Sequence, residues 1–142
     1  MPLYFFDTSA LVKRYHIESG SEKVNEIFNN PDGVFIVTSL TVTEFVSAFA
    51  RKLHEKVISE DDFRFCLSEF AKDIISLFWI IDLERSHINK SISLIIKHNL
   101  RTLDSLQLSA FLDLSSLNPI MITSDEALFD ATVKEGFSAI KP

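Results

Sequence analysis

Short apolar runs recur along this chain, each leading straight into an acid or hydroxyl residue and then a stretch of helical spacing. This alternation limits the fold more than any other feature. Leu3–Phe6 runs into Asp7-Thr8-Ser9, Val34–Thr38 into the stripe Val42, Phe45, Val46, Phe49 and Leu53, and residues 120–123 into Ser124-Asp125-Glu126. Four or five apolar residues bounded by such signals read as a buried strand, whereas three- and four-residue spacing reads as an amphipathic helix. Residues 77–83 read as a third strand and Ser138–Ile140 as a short last one. Strands that alternate with helices imply right-handed crossovers, and so a parallel sheet with helices on both faces.

Between the strands, residues 20–29 read as a helix, stopped by Asn29-Asn30-Pro31-Asp32-Gly33. Phe63, Cys66, Leu67, Phe70 and Ile74 form one stripe on a helix that Ser59 caps, and Ile88, Ile92, Ile95 and Ile96 mark another. Residues 103–117 are apolar almost all round the wheel, which predicts burial on several sides, in the core or against another subunit. Leu108 and Leu112 carry more apolar surface there than one core face needs, so a homodimer is expected.

The 142 residues form one domain over residues 1–142, and a hydrophobic content of 46% with three glycines and four prolines suits a compact, helix-rich globule. The longest nearly apolar stretch, residues 74–81, is too short to cross a bilayer, and no basic segment precedes the first apolar run. Cys66 is the single cysteine, which suits a reducing cytoplasm, the expected location. The net charge of −6 argues against a general nucleic-acid coat protein. It leaves room for an enzyme whose acids hold metal, and for a basic protein partner.

Four acids sit at the junctions: Asp7, Glu44, Asp104 and Asp125. Each has a plain structural explanation. Asp7 suits a helix cap, Thr41-Val-Thr-Glu44 and Thr123-Ser-Asp-Glu126 match the capping-box pattern, and Asp104-Ser-Leu-Gln107 resembles its aspartate variant. Their joint placement says more. Asp7 and Asp125 follow strands and share the carboxyl edge of a parallel sheet. In the order 3-2-1-4-5 they flank the crevice where the topology reverses. Glu44 lies at the border of its helix's apolar stripe, and Asp104 opens the buried helix. Converging carboxylates repel one another unless a cation joins them, and hard divalent ions take oxygen ligands.

Other chemistry is weaker. His16, His54, His87 and His98 are scattered without zinc spacing and read as surface or satisfied polar groups, and Cys66 falls on an apolar stripe. Lys13, Arg14, Arg51, Lys52, Lys90, Lys97 and Arg101 are available for phosphate. Lys13, Arg14 and Arg101 stand nearest the acids in sequence and are the favoured phosphate contacts.

The segments FFDTSALVK, LTVTEFVSAFAR, LRTLDSLQLSA and ITSDEALFDATVKEGF, in that order, make the chain resemble the PIN-domain ribonucleases, above all the VapC-type toxins of toxin–antitoxin pairs. The resemblance covers essentially the whole chain. It implies a three-layer α/β/α fold with a mostly parallel sheet in the order 3-2-1-4-5. By the same resemblance Asp7, Glu44, Asp104 and Asp125 bind Mg²⁺ or Mn²⁺, with Ser9 and Ser124 supporting them. The implied reaction is endoribonucleolytic hydrolysis, leaving a 5′-phosphate and a 3′-hydroxyl.

Two positions depart from the pattern. Gln107 stands where such toxins often have histidine, and Glu126 where a basic residue often follows the fourth acid. The resemblance also implies an antitoxin partner, for which Phe65, pointing off its helix's apolar stripe, is a candidate contact. A basic side chain from such a partner could replace the metal's charge among the acids. Two other readings remain: a PIN scaffold that binds RNA or protein without turnover, and a phosphoacceptor receiver domain. Against the receiver reading, this chain shows neither the acidic pair expected at the first strand nor the lysine expected on the last.

Overall fold

Five short strands form one parallel sheet in the order β3-β2-β1-β4-β5. The computed structural model describes residues 1–142. Along the chain the elements are β1 (Leu3–Phe6), α1 (Thr8–Tyr15), α2 (Ser21–Phe28), β2 (Val34–Thr38), α3 (Ser39–His54), α4 (Glu60–Ser76) and β3 (Phe78–Ile81). They continue as α5 (Arg85–His98), α6 (Thr102–Leu112), a 3-10 turn (Ser115–Leu117), β4 (Ile120–Ile122), α7 (Glu126–Lys134) and β5 (Ser138–Ile140). No helix is long and apolar enough to cross a membrane.

The two-residue period of the strands divides the core in two. Phe6, Phe35, Val37 and Ile122 face one layer, packed with Leu11, Val24, Phe45, Phe49, Cys66 and Phe70 from α1–α4. Phe5, Ile36 and Met121 face the other, against Leu94, Leu108, Phe111 and Leu128 from α5–α7. Phenylalanines fill much of the first layer: the rings of Phe45 and Phe70 lie 3.8 Å apart and those of Phe6 and Phe28 4.6 Å apart. The expected three-layer α/β/α arrangement and its strand order are both present.

Several sequence readings need correction. The strand expected over 77–83 keeps only Phe78–Ile81, because Leu77 still closes α4 through its N–H to the Asp73 carbonyl. The helix expected over 103–117 breaks after Leu112, and the 3-10 turn ends in a left-handed Asn118 (φ 51°) just before Pro119. The most informative correction concerns α5. Its buried residues are His87, Ser91 and Leu94, while Ile88, Ile92 and Ile96 are 54%, 57% and 80% exposed.

Polar anchoring explains the inversion of α5. The His87 ring accepts the Glu84 N–H at 2.9 Å and pairs with Asp113 at 2.6 Å, while Ser109 donates to the His87 carbonyl at 2.9 Å. A small Ser91 at the same face allows close packing, and these bonds fix which side of α5 looks inward. On α6, Leu108 is wholly buried and Leu112 half-buried. The surplus apolar surface expected of Leu108 therefore does not exist, while Leu103 on the same helix is 46% exposed.

Candidate active site

The carboxyl edge of the sheet opens into a cleft of about 540 Å³. Asp7, Glu44, Asp104 and Asp125 all line it, together with Thr8, Ser9, Val12, Ala48, Arg51, Arg101, Thr102 and Leu103. The sheet brings the two strand-end acids together. Phe6 pairs with Ile122, and the Asp7 N–H continues the ladder by donating to the Ile122 carbonyl at 3.0 Å.

Each acid is held differently. Asp7 occupies the N-cap position of α1 but caps nothing with its side chain. Its carboxylate instead accepts the Ser9 hydroxyl at 2.7 Å and the Thr123 hydroxyl at 3.0 Å. Burial raises its pKa against the lowering effect of those two bonds, and the nearby Glu44 charge raises it further. Glu44 accepts the Thr8 hydroxyl at 2.9 Å and the Gln107 amide at 3.1 Å. The Thr41–Glu44 capping box is not formed, since α3 starts earlier and Thr38 caps it by accepting the Thr41 N–H. Both acids are thus freed from the bland explanation.

Asp104 caps no helix either, because α6 begins at Thr102. Burial raises its pKa first, and the charges of Asp125 and Asp7 add to the rise, while Arg101 opposes it. Asp125 serves two purposes. One oxygen caps α7 by accepting the Leu128 N–H at 2.9 Å, and the other accepts Arg101 at 3.0 Å. The cap is therefore Asp125 itself, not the Thr123–Glu126 box; Thr123 Oγ1 accepts the Asp125 N–H at 3.0 Å.

Arg101 bridges Asp104 (3.3 Å) and Asp125 (3.0 Å) from a largely solvent-exposed position. The other two favoured cations lie elsewhere. Lys13 donates to the carbonyls of Ser19 and Pro142. Arg14 pairs with Asp73 at 3.1 Å and lies over the Phe28 ring. Arg51 lines the cleft in their place, and helical spacing carried the signal: Glu44, Ala48 and Arg51 fall at i, i+4 and i+7. Thr8 and Thr123 escaped notice because each is a hydroxyl next to a more conspicuous residue.

Ser9 is a hub. It donates to Asp7 and accepts the Ser124 N–H at 3.0 Å. The hydroxyl of Ser124 is the one buried side-chain oxygen or nitrogen with no partner. Gln107 is buried and its amide donates to Thr41 as well as Glu44, while its oxygen accepts Thr38. Glu126 points out of the cleft toward Lys141, so that departure leaves the acids untouched.

Three features fit a hard divalent cation: an all-oxygen donor set, two carboxyls raised by burial and by like charges, and a cation already bridging two of the acids. No three of the chain's acids, histidines or cysteine yet meet around a single point. With Arg101 between Asp104 and Asp125, the carboxylates surround an opening.

No family model and no curated protein matches the chain in sequence. Solved structures do match in shape. VapC20 of Mycobacterium tuberculosis, a sarcin–ricin loop cleaving toxin, aligns at a TM-score of 0.72 with 10% identity, over 98% of this chain and 99% of its own. The fold is that of the VapC toxins. VapBC2 of Rickettsia felis, solved on a DNA fragment from its promoter, aligns at 0.66 with 14% identity over 99% and 98% of the two chains. A toxin–antitoxin complex from Klebsiella pneumoniae gives 0.59 at 18% identity, over 89% of each chain. At these identities the VapC likeness is one of fold.

Proposed function

We propose that this chain is a metal-dependent endoribonuclease and the toxin of a toxin–antitoxin pair. The observation that carries the reading is the set of four carboxylates from α3, α6 and the ends of β1 and β4 that line one cleft without being needed as caps, Asp125 excepted. The VapC-type fold supports it, as does the loop-cleaving activity named for its M. tuberculosis neighbour.

In hydrolysis a water oxygen bonds to phosphorus as the P–O3′ bond breaks, leaving a 5′-phosphate and a 3′-hydroxyl. Asp7, Glu44, Asp104 and Asp125 would hold Mg²⁺ or Mn²⁺, which lowers the pKa of water and neutralises phosphate charge. The rest falls to this chain. Ser9 and Thr123 fix Asp7, Thr8 and Gln107 fix Glu44, and Arg101 is free to turn from the acids to a phosphate.

The partner reading is an antitoxin that places a basic side chain among these acids. Phe65, 66% exposed beside a groove lined by Arg14, Tyr15, Glu69 and Asp73, supplies an apolar anchor for it. Asp7→Asn and Asp104→Asn test the activity. Each should remove most RNA cleavage in Mg²⁺ or Mn²⁺ while circular dichroism stays unchanged. Folded variants that cleave like wild type would end the proposal, and an inert wild type would leave a silent scaffold.

A further inference from the structure

The cleft holds two guanidinium groups, and they differ in what they already bind. Arg101 is engaged by Asp104 and Asp125. Arg51, exposed at the other part of the lining, forms no ion pair and no side-chain hydrogen bond, although its neighbour Lys52 is taken by Glu18 at 3.7 Å. Six Lys or Arg side chains of this acidic protein stand without an acid partner: Lys13, Arg51, Lys56, Arg64, Arg85 and Lys134. Of these, Arg51 alone lines the cleft.

Its position on α3 is fixed relative to the acids. Glu44, Ala48 and Arg51 share one face, so Arg51 stands roughly 10 Å further along the helix axis than Glu44 at about 1.5 Å per residue. Between them on that face of α3 the lining residue is Ala48, short and uncharged. The cleft therefore has an acidic end and, past an apolar step, a cationic end. A strand of RNA entering it meets a free positive charge next to the acids but not among them.

We propose that Arg51 seats a backbone phosphate of single-stranded RNA adjacent to the linkage being cleaved, and so sets where along the strand the acids act. This rests on the ribonuclease reading. A single phosphate contact on single-stranded nucleic acid contributes a salt dependence of about 0.7 in log K per log salt. That slope corresponds to about fivefold in affinity at 0.1 M salt, fading toward 1 M.

The test uses the full chain with Mn²⁺ and a fluorescent single-stranded RNA, comparing wild type, Arg51→Ala, Arg51→Lys and Arg51→Gln over a range of salt. Where RNA is cleaved, KM and kcat come from initial rates; where it is not, Kd comes from anisotropy. Arg51→Ala and Arg51→Gln should raise KM or Kd about fivefold at 0.1 M salt and flatten the salt slope by about 0.7, with kcat within twofold. Arg51→Lys should restore the slope.

An unchanged slope, or a loss confined to kcat, overturns the assignment. So does a variant that binds RNA normally but loses affinity for the antitoxin, which would make Arg51 a protein contact. Wild type that binds RNA without cutting it overturns the ribonuclease reading and with it the placement beside a cleaved linkage, whereas a cleaving wild type with an unchanged Arg51 salt slope overturns the Arg51 assignment by itself.

Discussion

Gln107→Leu tests the most unusual feature of the site, a neutral amide buried against a catalytic-type carboxylate. Leucine keeps the bulk but removes three bonds: to Thr41 at 2.7 Å, to Glu44 at 3.1 Å and from Thr38 at 3.0 Å. Two neutral buried bonds contribute about 1 kcal/mol each, and the bond to a charged group about 1.5 kcal/mol or more. Some of this returns. The added apolar burial stabilises by about 1 kcal/mol; Thr38 and Thr41 lie 3.4 Å apart and can bond each other, and Thr8 still holds Glu44.

The expected loss is about 2–3 kcal/mol, or a drop in Tm of roughly 6–10 °C for a domain of this size. Metal-free urea melts and thermal scans measure it. Activity should fall about tenfold, because Glu44 keeps only one of its two donors, and each ~1.4 kcal/mol lost in the transition state is tenfold in rate. A variant that melts within about 2 °C of wild type would show that the amide network does not hold this corner of the fold. One that is destabilised yet fully active would show that Glu44 needs no orienting donor.

Other outcomes follow from the charges. Asp7 and Asp104 have raised pKa values in the fold, so the stability they contribute is complete below the unfolded value near 3.8 and is lost as pH rises through the folded ones. Metal-free Asp7→Asn and Asp104→Asn should accordingly match or exceed wild type in Tm at pH 8 and lose that margin toward pH 4; a marked deficit at pH 8 would restore a purely structural role. Added Mn²⁺ should raise the wild-type Tm by linkage and the variants' much less. Phe65→Glu should weaken antitoxin binding in co-purification more than it lowers Tm, and undiminished affinity would remove Phe65 from that interface.

The layering was legible because burial on both faces of a parallel sheet leaves short apolar runs, and the four acids because each interrupts a hydrophobic pattern. Less visible was anything set by side-chain bonds across the sequence. The isoleucines of α5 announce an inward face, yet His87 bonded to Asp113 and Ser109 bonded to the His87 carbonyl turn the helix so that they face water. Capping patterns misplaced two helix starts, the Thr41 box late because Thr38 is the cap of α3, and the Thr123 box early because Asp125 is the cap of α7. Sequence proximity favoured Lys13 and Arg14, but nearly two helical turns past Asp7 the chain carries them toward the C-terminal segment and α4. Distance along the chain was the wrong measure for them.

The Arg101 bridge gives the proposed metal site a tethered competitor. A guanidinium three residues from Asp104 stays at high local concentration whatever the solution contains, so a divalent ion entering would have to displace a single positive charge already in place. Because Arg101 is solvent-exposed, water can take up the guanidinium as it leaves and the exchange meets little resistance. The acids are never all unbalanced at once. Arg101 thus offsets part of the repulsion among the acids, and on the metal-dependent reading an entering ion would compete with a fixed cation.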